Sequence, residues 1–351
     1  MKAKPAPAPD ETPDAALDDA IDVVEQRVWA HLTGTPSTHP TPPCGDLTSG
    51  DLAAAIAAYR AAGRAALHEA RTAQHRWYQV RILFADWDTA EQIAATELAP
   101  RLEQARHAGD VGGWWYLRKH PNWRLRAQVP RPGARTDTVA AVTSHLDDLV
   151  QAGAIQRWRE TIYEPEQPAF GGPAGMDIAH DLFHVDSRGA LTYLARPRQV
   201  GRRELSILLC TALMRSARQD YGEQGDIWHR VAQLRPLSPP PPPEQLGTMI
   251  APLHRLLAID TSAAGPLHDP RGSLGFAAPW AAGLTAGGAR LADLARDGAL
   301  ERGLRDVLAN HVIFHWNRLG IPTTAQAVLA RAARDTLLET YHDPAAAGRT
   351  G

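Results

Sequence analysis

The chain has 351 residues, of which 44% are hydrophobic and 22% charged, as in ordinary globular proteins. Its 37 Lys and Arg nearly balance 39 Asp and Glu, so the net charge is -2 and the basic excess typical of nucleic-acid binding is missing. Two cysteines cannot form a disulfide framework or a four-cysteine metal site. The first residues lack the apolar run expected of a signal peptide, and no stretch of ~18 apolar residues occurs in the sequence. We therefore expect a cytoplasmic protein without nucleic-acid or membrane partners.

The first part of the chain predicts a tail followed by helices. Residues 1–13 are rich in Pro, Ala and acidic residues, a composition typical of disorder. Apolar residues at helical spacing then predict one helix over about 14–31 and a second over about 49–74. We therefore expect an N-terminal helical segment at 14–76, and a C-terminal tail at 343–351.

The pattern changes at residue 77, where WYQVRILFADW alternates between apolar and polar residues and predicts a half-buried strand. Further strands are predicted at 114–119, 123–129 and 155–163, with helices at about 88–107 and 136–151 between them. Strand, helix, two strands, helix and strand predict a ferredoxin-like antiparallel sheet unit at about 77–163. The remainder is mostly helical, so the expected fold class is α+β with a large helical portion.

Two segments concentrate residues that carry chemistry. Residues 160–187 combine carboxylates, a Gly-Gly turn and a predicted helix at about 175–184, a density of titratable groups that favours a site over a capped connection. The last turn and exit of that helix carry His180, His184, Asp186 and Ser187. Residues 260–283 predict a loop, and loops of this length are usually functional or disordered. Trp280 in that loop suits stacking on a ligand or packing in a core.

Two histidine pairs have the spacing that places both imidazoles on one helix face, as metal sites require. They are His180 with His184 and His311 with His315. The Glu of a zinc-hydrolase motif is missing, because Asp181 follows His180, and no third ligand lies at short spacing. We therefore expect no metal and no other cofactor, with the histidines lining a groove or hydrogen-bonded in the core. A zinc hydrolase is kept as an alternative.

Several motifs occur in an order that resembles a known family. They are the stretch at 77–128, then YEPEQPAFGG, AHDLFHVDS and HWNRLGI. This order is similar to the thiopeptide-type bacteriocin biosynthesis domain, which is the C-terminal elimination domain of lantibiotic dehydratases and its stand-alone relatives. The resemblance covers residues 77–342 and implies one of two activities. Eliminases remove glutamate from glutamylated Ser or Thr, whereas pyridine synthases join two dehydroalanines by a formal [4+2] aza-cycloaddition.

Two positions distinguish these activities. Family eliminases have an Arg before the aromatic-Gly-Gly motif, where this chain has Ala169, and a His five residues before the last Arg of HMxxNR. This chain has Ile313 at the latter position and keeps Arg318. Glutamate elimination needs a base for the α-proton and a cation for the departing carboxylate. The resemblance therefore implies a pyridine synthase, a cofactor-independent cyclase, with a glutamate eliminase or a non-catalytic precursor-peptide-binding subunit as alternatives.

The cycloaddition requires two ends of one peptide to be held in reacting geometry and an amide to be polarised. The candidate residues are Tyr163, His315 and Arg318 for proton transfer and hydrogen bonding to the amide oxygen, Trp280 for stacking, Ser187 and Ser206 for positioning the backbone, and His180 or His184 for aromatisation.

The expected partner is a ribosomally made, post-translationally modified precursor peptide with a leader, and other biosynthetic enzymes could join it. Loss of water and of the leader would complete the pyridine macrocycle. The N-terminal helices together with Arg81, Arg118 and Arg126 on the strands could offer an acidic leader a positively charged groove. The same arginines could equally well only solvate the sheet.

Overall fold

The computed structural model describes residues 24–35, 49–197, 200–239 and 241–342. The predicted tails and the start of the first predicted helix lie outside the described residues. The chain divides into two compact units between Ala73 and Gln74. The first unit contains helix α1 (24–33) and most of α2 (Ser49–His75). In the described part, no helix is both long enough and apolar enough to cross a membrane.

The second unit contains a four-stranded antiparallel sheet in the order β2-β3-β1-β4. The strands are β1 (Trp77–Phe84), β2 (Trp114–Lys119), β3 (Asn122–Gln128) and β4 (Ile155–Thr161). Helix α3 (Ala90–Ile93), a π-helical turn (Ala94–Leu98) and α4 (Ala99–Ala108) connect β1 to β2, and α5 (Arg135–Gln151) connects β3 to β4. The predicted ferredoxin-like unit and the α+β class are therefore confirmed.

Strand alternation gives the sheet two different faces. Tyr78, Val80 and Ile82 of β1 are fully buried in one cluster with apolar residues of α4 and α5. Because successive side chains point to opposite faces of a sheet, Gln79 and Arg81 lie on the other face. This second face is polar and rich in arginine, and it carries the candidate site.

The rest of the described chain is helical. Its helices are α6 (Gln167–Phe170), α7 (Gly172–Leu194), α8 (Arg202–Ser216), α9 (Tyr221–Leu234), α10 (Pro243–Leu257), α11 (Ala278–Arg296), α12 (Leu304–Arg318) and α13 (Thr323–His342). Helices α6 and α7 cover the β2 side of the polar face through a cluster that includes Trp115, Phe170 and Phe183. Helices α7 to α13 build a second apolar core, in which Trp228 and Trp316 stack with ring centroids 5.6 Å apart.

Two predicted boundaries in this region are wrong. The predicted helix at about 175–184 is the middle of α7, so its histidines lie inside a long helix and not at its end. The predicted loop at 260–283 ends early, because a 3-10 turn (Gly275–Ala277) leads directly into α11. Trp280 therefore lies in the first turn of a helix, next to a proline at a position that favours helix initiation.

Candidate functional site

A buried ionic network joins α7 to α12. Asp186 of α7 accepts hydrogen bonds from Arg318 Nη1 at 2.7 Å and from Trp280 Nε1 at 2.9 Å, and its Oδ1 lies 2.7 Å from His315 Nδ1. Asp186 is 2% exposed and Arg318 is 1% exposed. The fold therefore surrounds one buried carboxylate with three side chains from two other helices, α11 and α12.

The charges of this network are strongly coupled. Burial alone would raise the pKa of Asp186, but the charge and hydrogen bonds of His315 and Arg318 outweigh it and hold that pKa well below its usual range. Burial lowers the pKa of the Arg318 guanidinium, and Asp186 opposes this effect. A buried pair of this kind is costly to form and more costly to break, since either partner alone would be an uncompensated charge.

A small cavity lies beside the network, between α7, α8, α11 and α12. Its volume is about 10 Å³, close to the space that one water molecule needs. His311 lines it, and burial lowers the pKa of this imidazole to about 3, so His311 is neutral at physiological pH. This cavity is therefore too small for a peptide substrate in this conformation.

A second cluster lies on the polar face of the sheet, at the point where β4 ends. Tyr163 is half-buried, and its hydroxyl lies 2.8 Å from Nε2 of His180. The indoles of Trp77 and Trp115 contact the Tyr163 ring edge-on, with centroids 6.1 and 5.6 Å away. We call Tyr163, His180, Trp77 and Trp115 the Tyr163 cluster. The aromatic contacts hold the ring in place, and the residue as a whole is only partly covered.

Burial sets the protonation states of the Tyr163 cluster. It raises the pKa of the Tyr163 hydroxyl above its ordinary value, so Tyr163 is a phenol and not a phenolate at neutral pH. Burial, with a smaller contribution from nearby arginines, lowers the pKa of His180 to about 3. The cluster therefore presents a neutral hydroxyl supported by a neutral imidazole.

Arg126 lies under the Tyr163 cluster. Its guanidinium is 4.1 Å from the Trp115 ring and 5.3 Å from the Tyr163 ring, and its Nε donates to Gln79 at 2.7 Å. Gln79 in turn donates to Thr161 Oγ1 and to a backbone carbonyl. Burial lowers the pKa of Arg126 to about 9, which leaves it charged at neutral pH. Its Nη1 is buried and has no partner among the described residues.

The structure divides the predicted catalytic residues into two groups. Tyr163 and His180 meet at the sheet, and His315, Arg318 and Trp280 meet in the helical interior. The two groups touch through aromatic rings, because Arg318 stacks 4.4 Å from Phe183 and 5.7 Å from Trp115. Trp280 is 2% exposed and occupied with Asp186, so the expectation that it stacks on a ligand from a loop does not match its position.

The other predicted catalytic residues bind the protein backbone or core. Ser187 accepts from the Tyr116 amide at 3.1 Å, and Ser206 accepts from Trp316 Nε1 at 2.6 Å; both serines are fully buried. His184 Nδ1 lies 3.1 Å from the Trp114 amide nitrogen and 2.8 Å from its carbonyl oxygen. These three side chains fasten α7 and α8 to their neighbours.

The predicted leader-binding arginines do not form one groove. Arg81 and Arg126 lie on the polar face, but Arg126 is 3% exposed and does not point outward. Arg118 lies on the opposite face, where it pairs with Glu91 and stacks on Trp123. The alternation of β2 explains this separation, because Arg118 and the buried Tyr116 share one side of the strand.

The histidine pairs are also separated. His180 belongs to the Tyr163 cluster, His184 contacts the backbone of β2, and His311 and His315 lie in the helical interior. Among the described residues, no three His, Cys, Asp or Glu side chains lie close enough together to hold a metal ion.

Three residues of the site, Asp186, Trp115 and Gln79, are not among the predicted site residues. Asp186 stands out in the sequence only as one titratable group in a dense segment, and nothing local shows that it faces Arg318, 132 positions later. Gln79 lies beside Arg126 once β1 and β3 are paired in their observed register. The sequence pattern predicts both strands but does not give this register, so it could not identify Gln79 as a site residue.

Known proteins share this architecture. A family model described as lantibiotic biosynthesis dehydratase C-term matches residues 77–337. The tRNA dependent lantibiotic dehydratase MibB from Microbispora sp. 107891 is similar, with a TM-score of 0.59 and 15% identity over 76% of this chain and 28% of that chain. This chain therefore spans little more than a quarter of the MibB chain.

Two other solved structures are similar over nearly their whole length. TsrL has a TM-score of 0.50 and 18% identity over 77% of this chain and 97% of its own. The pyridine synthase TbtD from thiomuracin biosynthesis has a TM-score of 0.50 and 14% identity over 76% of this chain and 99% of its own. At these identities the likeness shows a shared fold. The search of curated proteins found no match to this chain.

Proposed function

Because the chain belongs to the lantibiotic biosynthesis dehydratase C-terminal family, we propose that it is a thiopeptide pyridine synthase. It would act on a leader-bearing, azole-containing precursor peptide that holds two dehydroalanines, and it would need no cofactor. The pyridine synthase TbtD has the same fold, and its activity is carried to this chain as part of the proposal.

One observation carries the proposal: the Tyr163 hydroxyl is held at the half-exposed end of the polar face by a buried, neutral His180. A cycloaddition needs a neutral hydrogen-bond donor and a fixed surface, and it needs no charged nucleophile. This chain lacks the Arg and the His of the family eliminases, and this absence also favours a pyridine synthase over an eliminase. Ala169 is half-buried beside the Tyr163 cluster, and Ile313 is packed in the helical core.

The reaction makes and breaks bonds only within the peptide. One dehydroalanine and the amide before it tautomerise to an iminol, which is a 2-azadiene. Its terminal carbon bonds to the methylene carbon of the second dehydroalanine, and the iminol carbon bonds to the second α-carbon. The ring then loses the iminol oxygen as water and expels the leader as a carboxamide, which leaves an aromatic pyridine. The protein supplies position, hydrogen bonds and proton transfer.

Tyr163 suits the tautomerisation step. Its hydroxyl can give a proton to the amide oxygen and take one from the amide nitrogen, which returns it to its starting state. His180 holds the hydroxyl in place from behind, and the neighbouring Arg126 stabilises negative charge that develops on the oxygen. In this proposal Asp186 and Arg318 position α7 beneath the cluster.

The test uses the purified protein, a leader-bearing azole-containing peptide with two dehydroalanines, and mass spectrometry. Release of intact leader with a cyclised core lighter by water is expected. Tyr163→Phe should lower turnover by roughly 100-fold or more, whereas Tyr221→Phe, an exposed tyrosine on α9, should leave it unchanged. Melting temperatures of both variants show that they are folded.

Other results would assign another function. A peptide that binds but stays unchanged contradicts the pyridine synthase, and a glutamylated peptide then tests the eliminase. Affinity for both peptides without turnover would indicate a precursor-binding subunit.

A further inference from the structure

Three arginines stand side by side across the polar face of the sheet. Arg81 of β1 is in register with Arg124 of β3 on one side and with Arg159 of β4 on the other. Directly opposed residues on neighbouring antiparallel strands have Cβ atoms about 5 Å apart. We call these three residues the arginine row. Arg157 lies on the same face of β4, two residues along the strand.

The arginine row is not neutralised by the protein. Among the residues that the structure describes, no carboxylate forms an ion pair with Arg81, Arg124 or Arg159, although the nearby Arg118 and Arg135 both have such partners. Arg159 is exposed and the other two are half-buried, and the Nε atom of Arg81 is buried without a hydrogen-bond partner. Like charges directly opposite on neighbouring strands destabilise a sheet, so the row does not serve the stability of the fold.

The arginine row adjoins the candidate site. The next row of the same face, two residues or about 7 Å along the strands, contains Gln79, Thr161 and Arg126. Tyr163 follows Thr161 at the end of β4. An extended molecule lying along this face would therefore contact the arginine row and Tyr163 together.

We propose that the arginine row binds carboxylates of an acidic peptide segment, and that this segment is the leader of the substrate. The identity of the segment rests on the proposed function, but the binding of carboxylates does not. Guanidinium groups bind carboxylates through paired, charge-assisted hydrogen bonds, and several together favour a segment with several acidic residues. The chain as a whole lacks the basic excess typical of nucleic-acid binding, since its net charge is -2, so a short acidic segment fits this local row of arginines better than a nucleic acid does.

Binding is measured by fluorescence anisotropy with the full chain and two labelled probes, one peptide of alternating Glu and Ala and one of alternating Gln and Ala. The Glu peptide should bind at least tenfold more tightly, and rising salt should weaken only the Glu peptide. Arg81→Gln combined with Arg159→Gln should weaken Glu-peptide binding by roughly tenfold to 100-fold. The control combines Arg203→Gln with Arg255→Gln, which removes the same charge from exposed positions on α8 and α10 and should leave binding unchanged.

The row variant is expected to be at least as heat-stable as the unaltered chain, because two like-charge contacts are relieved, so weaker binding would not reflect unfolding. Equal affinity for the two peptides, or equal losses in the row and control variants, would overturn the proposal. Displacement of the Glu peptide by transfer RNA, with RNA binding weakened more than peptide binding by the row substitutions, would also overturn it in favour of a nucleic-acid surface.

The two proposals fail separately. If the Glu peptide binds at the row but no cyclised product forms, only the pyridine synthase is contradicted. If the precursor is cyclised and the row variant leaves both its KM and Glu-peptide affinity unchanged, only the arginine row is contradicted. A raised KM with unchanged kcat is the expected result, because the row would bind the leader equally in the ground and transition states.

Discussion

Asp186→Asn tests whether the buried network holds the helical portion together. The substitution keeps the shape of the side chain and removes its charge, while Arg318 and His315 stay buried against it. Breaking a buried ion pair by removing one charge costs about 3–5 kcal/mol. Since a typical domain has only about 5–15 kcal/mol of stability, the loss would be a large part of the total.

Helix α7 contains a matched control. Asp181 pairs with Arg290 at the same N–O distance of 2.7 Å, but both side chains are more than half exposed. An exposed pair contributes about 0–1 kcal/mol, so Asp181→Asn should change the free energy of unfolding by no more than this. Urea unfolding followed by tryptophan fluorescence measures both variants, since the chain has 10 Trp.

The double variant Asp186→Leu with Arg318→Met gives a second measurement. Replacing a buried pair with apolar side chains of similar size is often neutral or stabilising, so this variant should be more stable than Asp186→Asn by at least about 2 kcal/mol. If Asp186→Asn fails to fold, a folded double variant would still show that the unpaired buried charge, and not the loss of Asp186 itself, causes the destabilisation. Equal losses of about 1 kcal/mol or less for Asp186→Asn and Asp181→Asn would refute the reasoning.

Two further predictions concern stability. His180 and His311 have pKa values near 3 in the folded chain and about 6.5 in the unfolded chain. The unfolded chain therefore binds more protons as the pH falls through 6.5. Lowering the pH from 7.5 to 5.5 should reduce the free energy of unfolding by about 1.4 kcal/mol for each of these two histidines. Urea unfolding at the two pH values measures this loss, to which His184 and His145 add because burial lowers their pKa values too. His311→Phe should remove about 1.4 kcal/mol of the loss, and an unchanged pH dependence would contradict the burial of His311. Gly189→Ala should lower stability by about 1–3 kcal/mol, because its Cβ would lie 2.1 Å from the Trp280 ring, whereas Gly63→Ala, where the Cβ meets nothing within 4 Å, should raise it by up to about 1 kcal/mol. Thermal melting compares the two, and equal shifts would argue against the close contact of α7 with α11.

The sheet was predictable because its signals are local. Period-two alternation marks each strand, and the motif order fixes the antiparallel topology that the structure shows. Part of the Tyr163 cluster, one of the two groups of site residues, was also predictable from local signals. Tyr163 and His180 are only 17 positions apart, and the chain joins them through the short α6.

The interior network was not predictable from local signals. Asp186, Ser187 and Gly189 have low helix propensity, so the segment suggests a helix end, yet α7 continues through them to Leu194. Contacts from distant parts of the chain outweigh propensity here: Asp186 is held by α11 and α12, and the missing Cβ of Gly189 admits the Trp280 ring. Such contacts depend on which helices meet, which the sequence pattern does not specify.

The position of the candidate site follows from the partial cover of the sheet. Helices α6 and α7 bury the β2 side of the polar face, where Trp115 and Leu117 are apolar. On β4 the same face presents Arg157 and Arg159, which a core could not accept without partners. Because Arg157 and Arg159 are exposed, the β4 side of this face is turned to solvent, and a peptide bound along it would contact the arginine row and Tyr163. Inserting one residue within β4 before Arg157 would turn the strand's arginines toward α5, and should abolish acidic-peptide binding even if the sheet still forms.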